Sequence, residues 1–127
     1  ETDMMGHAYY ANYLLWFEQA RGAWCRDRGF TYRGLEESGY KLPVVEAHLR
    51  YRGEVLYDDL ITVCCQLTEV RRAALKFEYV VLNEQGHKVT EGYTWHVLVG
   101  QDRKAVTAPL EVREMLERDP DQYLTLA

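Results

Sequence analysis

The chain has 127 residues, of which 47% are apolar and 28% are charged, and its formal net charge at pH 7 is −5. These values are typical of one globular domain that buries about two-thirds of its unfolded surface. The acidic balance argues against nucleic-acid binding, which usually requires a basic surface, and no apolar run approaches the roughly 20 residues of a membrane span.

The first predicted element is a long helix that begins at about Ala8 or Tyr10 and ends at Arg28. Its apolar positions recur at steps of three and four residues, which is the period of one helix face, and Gly29 predicts the C-terminal stop. The positions that share this face are Tyr13, Phe17, Ala20 and Trp24. A short helical turn is predicted over residues 32–38.

After Pro43 the period of the apolar residues changes from 3.6 to 2, which predicts β-strands. The predicted strands span residues 45–52, 60–70, 73–82 and 88–99, and residues 83–86 predict a hairpin turn between the last two. The apolar side carries Leu75, Phe77, Tyr79 and Val81 in the third strand, and Val89, Tyr93, Trp95 and Val97 in the fourth, opposite Thr90, Thr94 and His96.

A last helix is predicted over residues 110–118, because Pro109 stands where a helix start tolerates proline. Consecutive strands with short links predict an antiparallel meander. One face of such a sheet must be covered, and the long helix is the obvious cover. We therefore predict a single α+β domain over residues 1–127, in which a curved antiparallel sheet wraps a long central helix.

Asp3 is the first candidate for a functional residue. Aspartate ahead of a helix is commonly an N-cap or part of an Asx-turn. The alternative is a catalytic carboxylate beside a helix start, where unpaired N–H groups and the positive end of the helix dipole can hold an oxyanion. Gly6 between Asp3 and Tyr10 would let the backbone pass close to a substrate. The residues alone leave both interpretations open.

The other reactive side chains predict neither a metal site nor a disulfide framework. His7 could act as a base near neutral pH, but it has no metal-ligating residue at i+4, and the other three histidines lack ligand spacing. The three cysteines are odd in number, and Cys64 and Cys65 point to opposite faces of a strand. We interpret them, together with Cys25, as small buried apolar residues in a reducing cytoplasm.

Three motifs resemble one family. The opening ETDMMGHAYYANY, followed by FEQAR at residues 17–21, resembles the signature of the 4-hydroxybenzoyl-CoA thioesterase-like family of hotdog-fold acyl-CoA thioesterases. Residues 49–59 resemble the family's second strand and its turn, and residues 91–94 resemble the Gly-x-Thr of its last strand. The resemblance covers nearly the whole chain and implies the hotdog fold. It also implies a first strand upstream of Glu1.

The resemblance implies roles for several residues of the opening segment. Asp3 matches the catalytic aspartate, as general base or nucleophile, and Tyr10 matches the position whose backbone N–H polarises the thioester carbonyl. Gly6 belongs to the same catalytic motif. Substrate-binding roles are expected for His7, Asn12 and Tyr13. Candidates for contacts with the CoA phosphates are Arg71 and Arg72 at one strand turn and Arg103 and Lys104 at the next. The alternative for these basic residues is solubilising turn charge.

The departures from the family pattern concern Glu1, Ala8 and Glu54, and they leave open whether CoA or acyl carrier protein carries the acyl group. No cofactor is expected. The resemblance further implies a homodimer or homotetramer, because a sheet wrapped on one helix leaves edges to bury. Two other functions remain open, an acyl-thioester hydratase or dehydratase and a non-catalytic acyl-CoA-binding module.

Overall fold

The structure, a computed structural model, describes residues 11–27, 29, 31–53, 60–107, 110, 113–114 and 124–126. Its elements are α1 (Ala11–Asp27), α2 (Tyr32–Glu37), β1 (Val44–Tyr51), β2 (Thr62–Val70), β3 (Ala74–Leu82), β4 (Lys88–Val97) and β5 (Leu124–Leu126). The predicted long helix, short helix and four strands are all confirmed within two residues over this range. Of the predicted last helix, positions 110, 113 and 114 are helical, and the rest lies outside the described residues.

The five strands form one antiparallel sheet in the order β1-β4-β3-β2-β5. Strands β2, β3 and β4 form the predicted meander. The prediction is wrong for β1, which pairs with β4 at one edge and not with β2. The reason is that ten residues, 52–61, separate β1 from β2, which is more than the tight turn that joins neighbouring strands of a meander. Strand β5 was not predicted, because three residues are too few to show a period of 2.

Helix α1 packs on one face of the sheet through the apolar positions that the sequence predicts. Tyr13, Phe17, Ala20 and Trp24 are buried, and so are Leu75, Phe77, Tyr79 and Val81 of β3. The ring of Phe17 stacks on that of Tyr79 at 4.1 Å, and Trp24 meets Phe77 edge to face at 5.3 Å. These aromatic pairs stabilise the contact beyond the area that they bury.

Over residues 93–97, strand β4 faces the helix with its polar side and not with its apolar side, although Val89 of the apolar side is buried. Thr94 and His96 are buried, whereas Tyr93 and Trp95 are half-buried on the outer face of the sheet. The register pairs Thr94 with Phe77, so its side chain lies on the inner face. The alternation of apolar and polar residues alone cannot identify the inner side when both faces carry large apolar groups.

The cysteines follow the alternation of their strand. Cys25 and Cys65 are buried in the core, as predicted, but Cys64 is only half-buried because its side chain lies on the outer face. The prediction of three buried cysteines is therefore wrong for Cys64.

Gly92 of β4 lies close both to Phe17 of α1 and to the backbone of β1. A Cβ atom built on Gly92 would lie 2.9 Å from Cε2 of Phe17 and would also collide with the backbone oxygen of His48. Glycine is therefore required at this position by packing and not by a left-handed backbone.

Candidate functional site

The three predicted catalytic residues, Asp3, Gly6 and Tyr10, lie outside the part of the chain that the structure describes, and so does the predicted substrate-binding residue His7. The roles of these four residues stay predictions. Asn12 belongs to the first turn of α1. Tyr13 is 2% exposed, and its ring meets Trp16 at 4.9 Å and Tyr51 at 5.2 Å. Tyr13 thus joins the start of α1 to the end of β1.

This contact fixes the direction of the helix along the sheet. Tyr51 pairs with Thr90, which pairs with Val81, so the start of α1 lies at the end of the sheet where these residues meet. Trp24, near the other end of α1, packs against Phe77. A ligand at the helix start would therefore lie at the Tyr51 end of the sheet.

The two candidate arginines lie at the other end of the sheet. Arg71 and Arg72 form the turn between β2 and β3, and both are exposed. Arg71 pairs with Glu69 at 3.1 Å and stands 4.9 Å from the ring centre of Trp95. Ala74, beside this turn, lies seven positions before Val81 on β3, which corresponds to about 23 Å along the strand. One protomer therefore does not bring Arg71 and Arg72 to the start of its own α1.

Between α1 and the sheet, the structure contains a buried chain of hydrogen bonds that sequence reasoning missed. Arg21 Nη1 lies 3.0 Å from the Tyr79 hydroxyl, which lies 2.6 Å from Thr94 Oγ1. Thr94 Oγ1 lies 2.8 Å from His96 Nε2, and His96 Nδ1 lies 3.2 Å from the Leu42 carbonyl oxygen. The chain links α1 to β3, to β4 and to the segment before β1. The resemblance of residues 91–94 to a Gly-x-Thr motif was the signal for Thr94.

Burial keeps Tyr79 and His96, two members of this hydrogen-bond chain, uncharged. Loss of solvent raises the pKa of Tyr79 to about 12, so the phenol keeps its proton. Loss of solvent, together with the nearby Arg21 cation, lowers the pKa of His96 to about 4. His96 is therefore a neutral imidazole at pH 7, with one donor and one acceptor nitrogen.

The outer face of the sheet holds a shallow concavity of about 390 Å³, away from α1. Its polar lining includes His48, Arg50, Glu78, Lys88, Glu91 and Tyr93. Glu91 accepts hydrogen bonds from Arg52 at 2.7 Å and from Lys88 at 3.0 Å, and these bonds hold the pKa of its carboxyl below the ordinary value. The lining has two carboxylates, Glu78 and Glu91, for its two cations, Arg50 and Lys88, so it offers no excess positive charge to a strongly anionic ligand.

Within the described residues, no group of three or more His, Cys, Asp or Glu side chains is arranged to hold a metal ion. Neither do the described helices include one with the length and apolar composition needed to cross a membrane.

Comparison with known proteins gives the family. The thioesterase-like superfamily matches residues 1–116. The chain belongs to this superfamily. A putative esterase of Aquifex aeolicus is 34% identical over 117 residues, which are 92% of this chain and 90% of the relative. A putative acyl-CoA thioesterase of Bacillus subtilis, YneP, is 30% identical over 102 residues, which are 80% of this chain and 74% of the relative.

Solved structures confirm the hotdog fold of this thioesterase-like chain. The DHNA-CoA thioesterase from Staphylococcus aureus superposes with a TM-score of 0.84 at 28% identity, over 91% of this chain and 80% of that chain. A hypothetical protein from Aquifex aeolicus gives a TM-score of 0.86 at 34% identity, over 92% of this chain and 91% of that chain. The predicted family, fold and class of enzyme, a thioester hydrolase, are confirmed at this level.

The buried histidine of this thioesterase-like chain predicts a loss of stability in acid. The pKa of His96 is about 4 in the folded state and near its ordinary 6.5 in the unfolded state, so the unfolded chain binds more protons between these values. The free energy of unfolding should therefore fall as the pH drops below 6.5, by about 2 kcal/mol between pH 6.5 and 5. Urea unfolding at several pH values measures this.

The control for this prediction is His96→Gln, whose side chain does not titrate. This variant should be less stable at pH 7, but its stability should change far less between pH 6.5 and 5. Carboxylates such as Glu91, whose pKa is lowered in the folded state, lose their contribution only at lower pH. An equal slope in the wild type and His96→Gln would contradict the assignment to His96.

Proposed function

We propose that the protein is an acyl-CoA thioesterase, which hydrolyses a thioester to the free acid and CoA. The observation that carries this proposal is the superfamily match over residues 1–116, together with relatives named as acyl-CoA thioesterases. The three motifs of the sequence are consistent with it. The odd number of cysteines, two of them adjacent, favours the reducing cytoplasm as the location.

In the proposed mechanism, the start of α1 stabilises the developing oxyanion. A helix start presents N–H groups without intrahelical partners and the positive end of the helix dipole. The backbone N–H of Tyr10 would donate to the thioester carbonyl oxygen, and Gly6 would let the chain pass close to the substrate. Support comes from the aromatic face of α1, which is buried on the sheet and holds the helix as a fixed platform.

Asp3 would provide the reactive carboxylate of the proposed mechanism. As a general base it takes a proton from water while the water oxygen bonds to the carbonyl carbon. As a nucleophile, one of its own oxygens bonds to that carbon and gives a mixed anhydride, which water then hydrolyses. In both cases the carbon–sulfur bond breaks with its electron pair on sulfur, and the CoA thiolate leaves. His7, Asn12 and Tyr13 are proposed to contact the substrate.

The proposed assembly is a homodimer, or a homotetramer built from two dimers. In the described sheet, β1 is an edge strand. It carries exposed Val44, Val45 and Tyr51, which are 46%, 60% and 43% exposed. An edge with exposed apolar residues favours pairing with another chain. The same contact would place the ends of two sheets side by side, so residues of one protomer could reach the site of the other.

The direct test is incubation of the protein with a panel of acyl-CoAs and acyl carrier protein thioesters, with thiol release as the readout. The proposal expects release from at least one acyl-CoA. Absorbance of an enoyl-CoA measures hydration in parallel, and hydration without thiol release would favour the hydratase. Tight binding without either reaction would favour a non-catalytic module.

The two arginines at the β2–β3 turn predict an effect on substrate binding. If Arg71 and Arg72 contact the CoA phosphates in the site of a neighbouring protomer, replacing both by alanine should raise KM several-fold and leave kcat unchanged. Because exposed charges are screened, the difference should shrink at about 0.5 M salt. Arg33→Ala, which removes an exposed arginine of α2, is the control. Unchanged KM in the double variant would favour solubilising turn charge.

A further inference from the structure

We infer that the buried hydrogen-bond chain from Arg21 to His96 holds α1 in the position that thioester hydrolysis requires, with Tyr79 and Thr94 as positioning residues. This inference rests on the proposed function, because the start of α1 is the proposed oxyanion site. None of the predicted catalytic residues belongs to this hydrogen-bond chain. Its four links join the helix, two strands and the Leu42 carbonyl.

The chemistry of the groups determines the direction of every hydrogen bond. The Leu42 carbonyl can only accept, so His96 Nδ1 carries the proton and the neutral ring accepts at Nε2. Thr94 must then donate to His96, which leaves its oxygen to accept from the Tyr79 hydroxyl. The Tyr79 oxygen in turn accepts from the guanidinium of Arg21. All donors thus point from α1 towards Leu42, and each of the polar groups in this hydrogen-bond chain is bonded to the next one.

Tyr79 restrains α1 at two places that are one helical turn apart. Its ring stacks on Phe17 with 4° between the ring planes, and its hydroxyl accepts from Arg21, four residues later. Rotation of α1 or sliding along its axis by about 1 Å would break the hydrogen bond, because its length is already 3.0 Å. Ala11 lies about 9 Å from Phe17 along a continuous helix, so a shift at Phe17 also moves the helix start.

The packing of α1 and the hydrogen-bond chain have separable effects on the helix. The apolar face of α1 supplies most of the stability of the contact, because burying one large apolar side chain contributes more than one hydroxyl hydrogen bond does. Packing holds the helix on the sheet but tolerates small displacements, whereas the hydrogen bonds select one position. Displacement of a catalytic donor by about 1 Å can reduce the rate by up to about 100-fold.

Two substitutions of Thr94 test the inference, since valine has the shape of threonine without its hydroxyl and serine keeps the hydroxyl. In Thr94→Val, Tyr79 loses its acceptor and His96 its donor. We expect kcat on the best acyl-CoA to fall about 10-fold with KM within about twofold. Thr94→Ser should keep at least about half of the wild-type kcat. Such rescue by the conservative variant is not expected if only the volume of the side chain matters.

Leu67→Ala is the control for lost stability. Leu67 is buried on the same face of the sheet but takes no part in the hydrogen-bond chain. Truncation of a buried leucine costs at least as much stability as the loss of the Thr94 hydroxyl. We expect Leu67→Ala to keep the wild-type kcat at a temperature where it is folded. Equal kcat in Thr94→Val and Thr94→Ser, or an equal loss in Leu67→Ala, would overturn the inference.

A second readout needs no substrate. Amide hydrogen exchange within residues 13–20 of α1 should accelerate in Thr94→Val and should change less in Thr94→Ser, when each variant is compared at equal global stability. Unchanged exchange in Thr94→Val would overturn the positioning role, whatever the enzyme hydrolyses. If the wild-type protein releases no thiol from any thioester, the proposed function is overturned. The exchange rates would still decide whether the hydrogen-bond chain positions α1.

Discussion

Asp3→Asn should reduce thioester hydrolysis by about 100- to 10,000-fold in kcat while leaving the protein folded. The physical reason is that an amide can neither take a proton from water nor attack the carbonyl, and general-base catalysis contributes an effect of that size. Asparagine has nearly the shape of aspartate. The measurement is thiol release under saturating acyl-CoA, combined with urea unfolding of the same samples.

Asparagine also separates the two interpretations of Asp3 that the sequence left open. Asparagine caps a helix about as well as aspartate, whereas alanine does not and costs about 1 kcal/mol at such a position. If Asp3 is only a cap, Asp3→Asn should be fully active and Asp3→Ala should be less stable but active. If Asp3 is catalytic, both variants should lose activity. Glu1→Gln, a neutralised carboxylate two residues earlier, is the matched control and should stay active.

The second large effect is expected at Gly92, where alanine should lower the free energy of unfolding by about 3 kcal/mol or more. A Cβ atom there would lie 2.9 Å from Phe17 Cε2 and would collide with the His48 backbone oxygen. Overpacking of a dense core usually costs about 1–3 kcal/mol, and here the obstacle on one side is backbone, which cannot rotate away. Equilibrium urea unfolding measures the change, with the slope checked against the wild type.

Gly86→Ala is the matched control for Gly92→Ala. Gly86 has φ +80° in the hairpin turn, and a Cβ atom there would meet no heavy atom within 4 Å. Alanine at Gly86 should therefore cost about 1–2 kcal/mol from the left-handed backbone alone. The larger loss at Gly92, in spite of its ordinary backbone, is the discriminating result. A loss at Gly92 below that at Gly86 would contradict the packing explanation.

The elements that the sequence predicted well are those whose pattern depends on short-range order. The steps of three and four residues from Tyr13 to Trp24 predicted the buried face of α1, and the alternation from Leu75 to Val81 predicted the inner side of β3. The opening motif was specific enough to predict the family and the fold, which the comparisons confirm.

The errors arose where both alternatives satisfy the local pattern. Strand β4 has apolar residues on one side and threonine and histidine on the other, so its alternation predicted Tyr93 and Trp95 inside. The structure has Thr94 and His96 inside, because Tyr79 and Leu42 supply hydrogen-bond partners that remove the cost of burying them. Those partners are 15 and 54 residues away, beyond the reach of any local pattern.

The predicted substrate site also included Arg71 and Arg72. Within one protomer, these arginines lie at the far end of the sheet from the start of α1.

The sequence by itself determined the long helix, the four long strands, the family and the candidate residues of the opening segment, because periodicity and motif spacing depend on residues close together in the chain. Only the tertiary structure decided that β1 lies beside β4, which face of β4 is buried, and that Arg21, Tyr79, Thr94 and His96 form one chain. These features depend on the pairing register of distant strands, where the hydrogen bonds and packing of the whole sheet select one arrangement from several that each strand alone would allow.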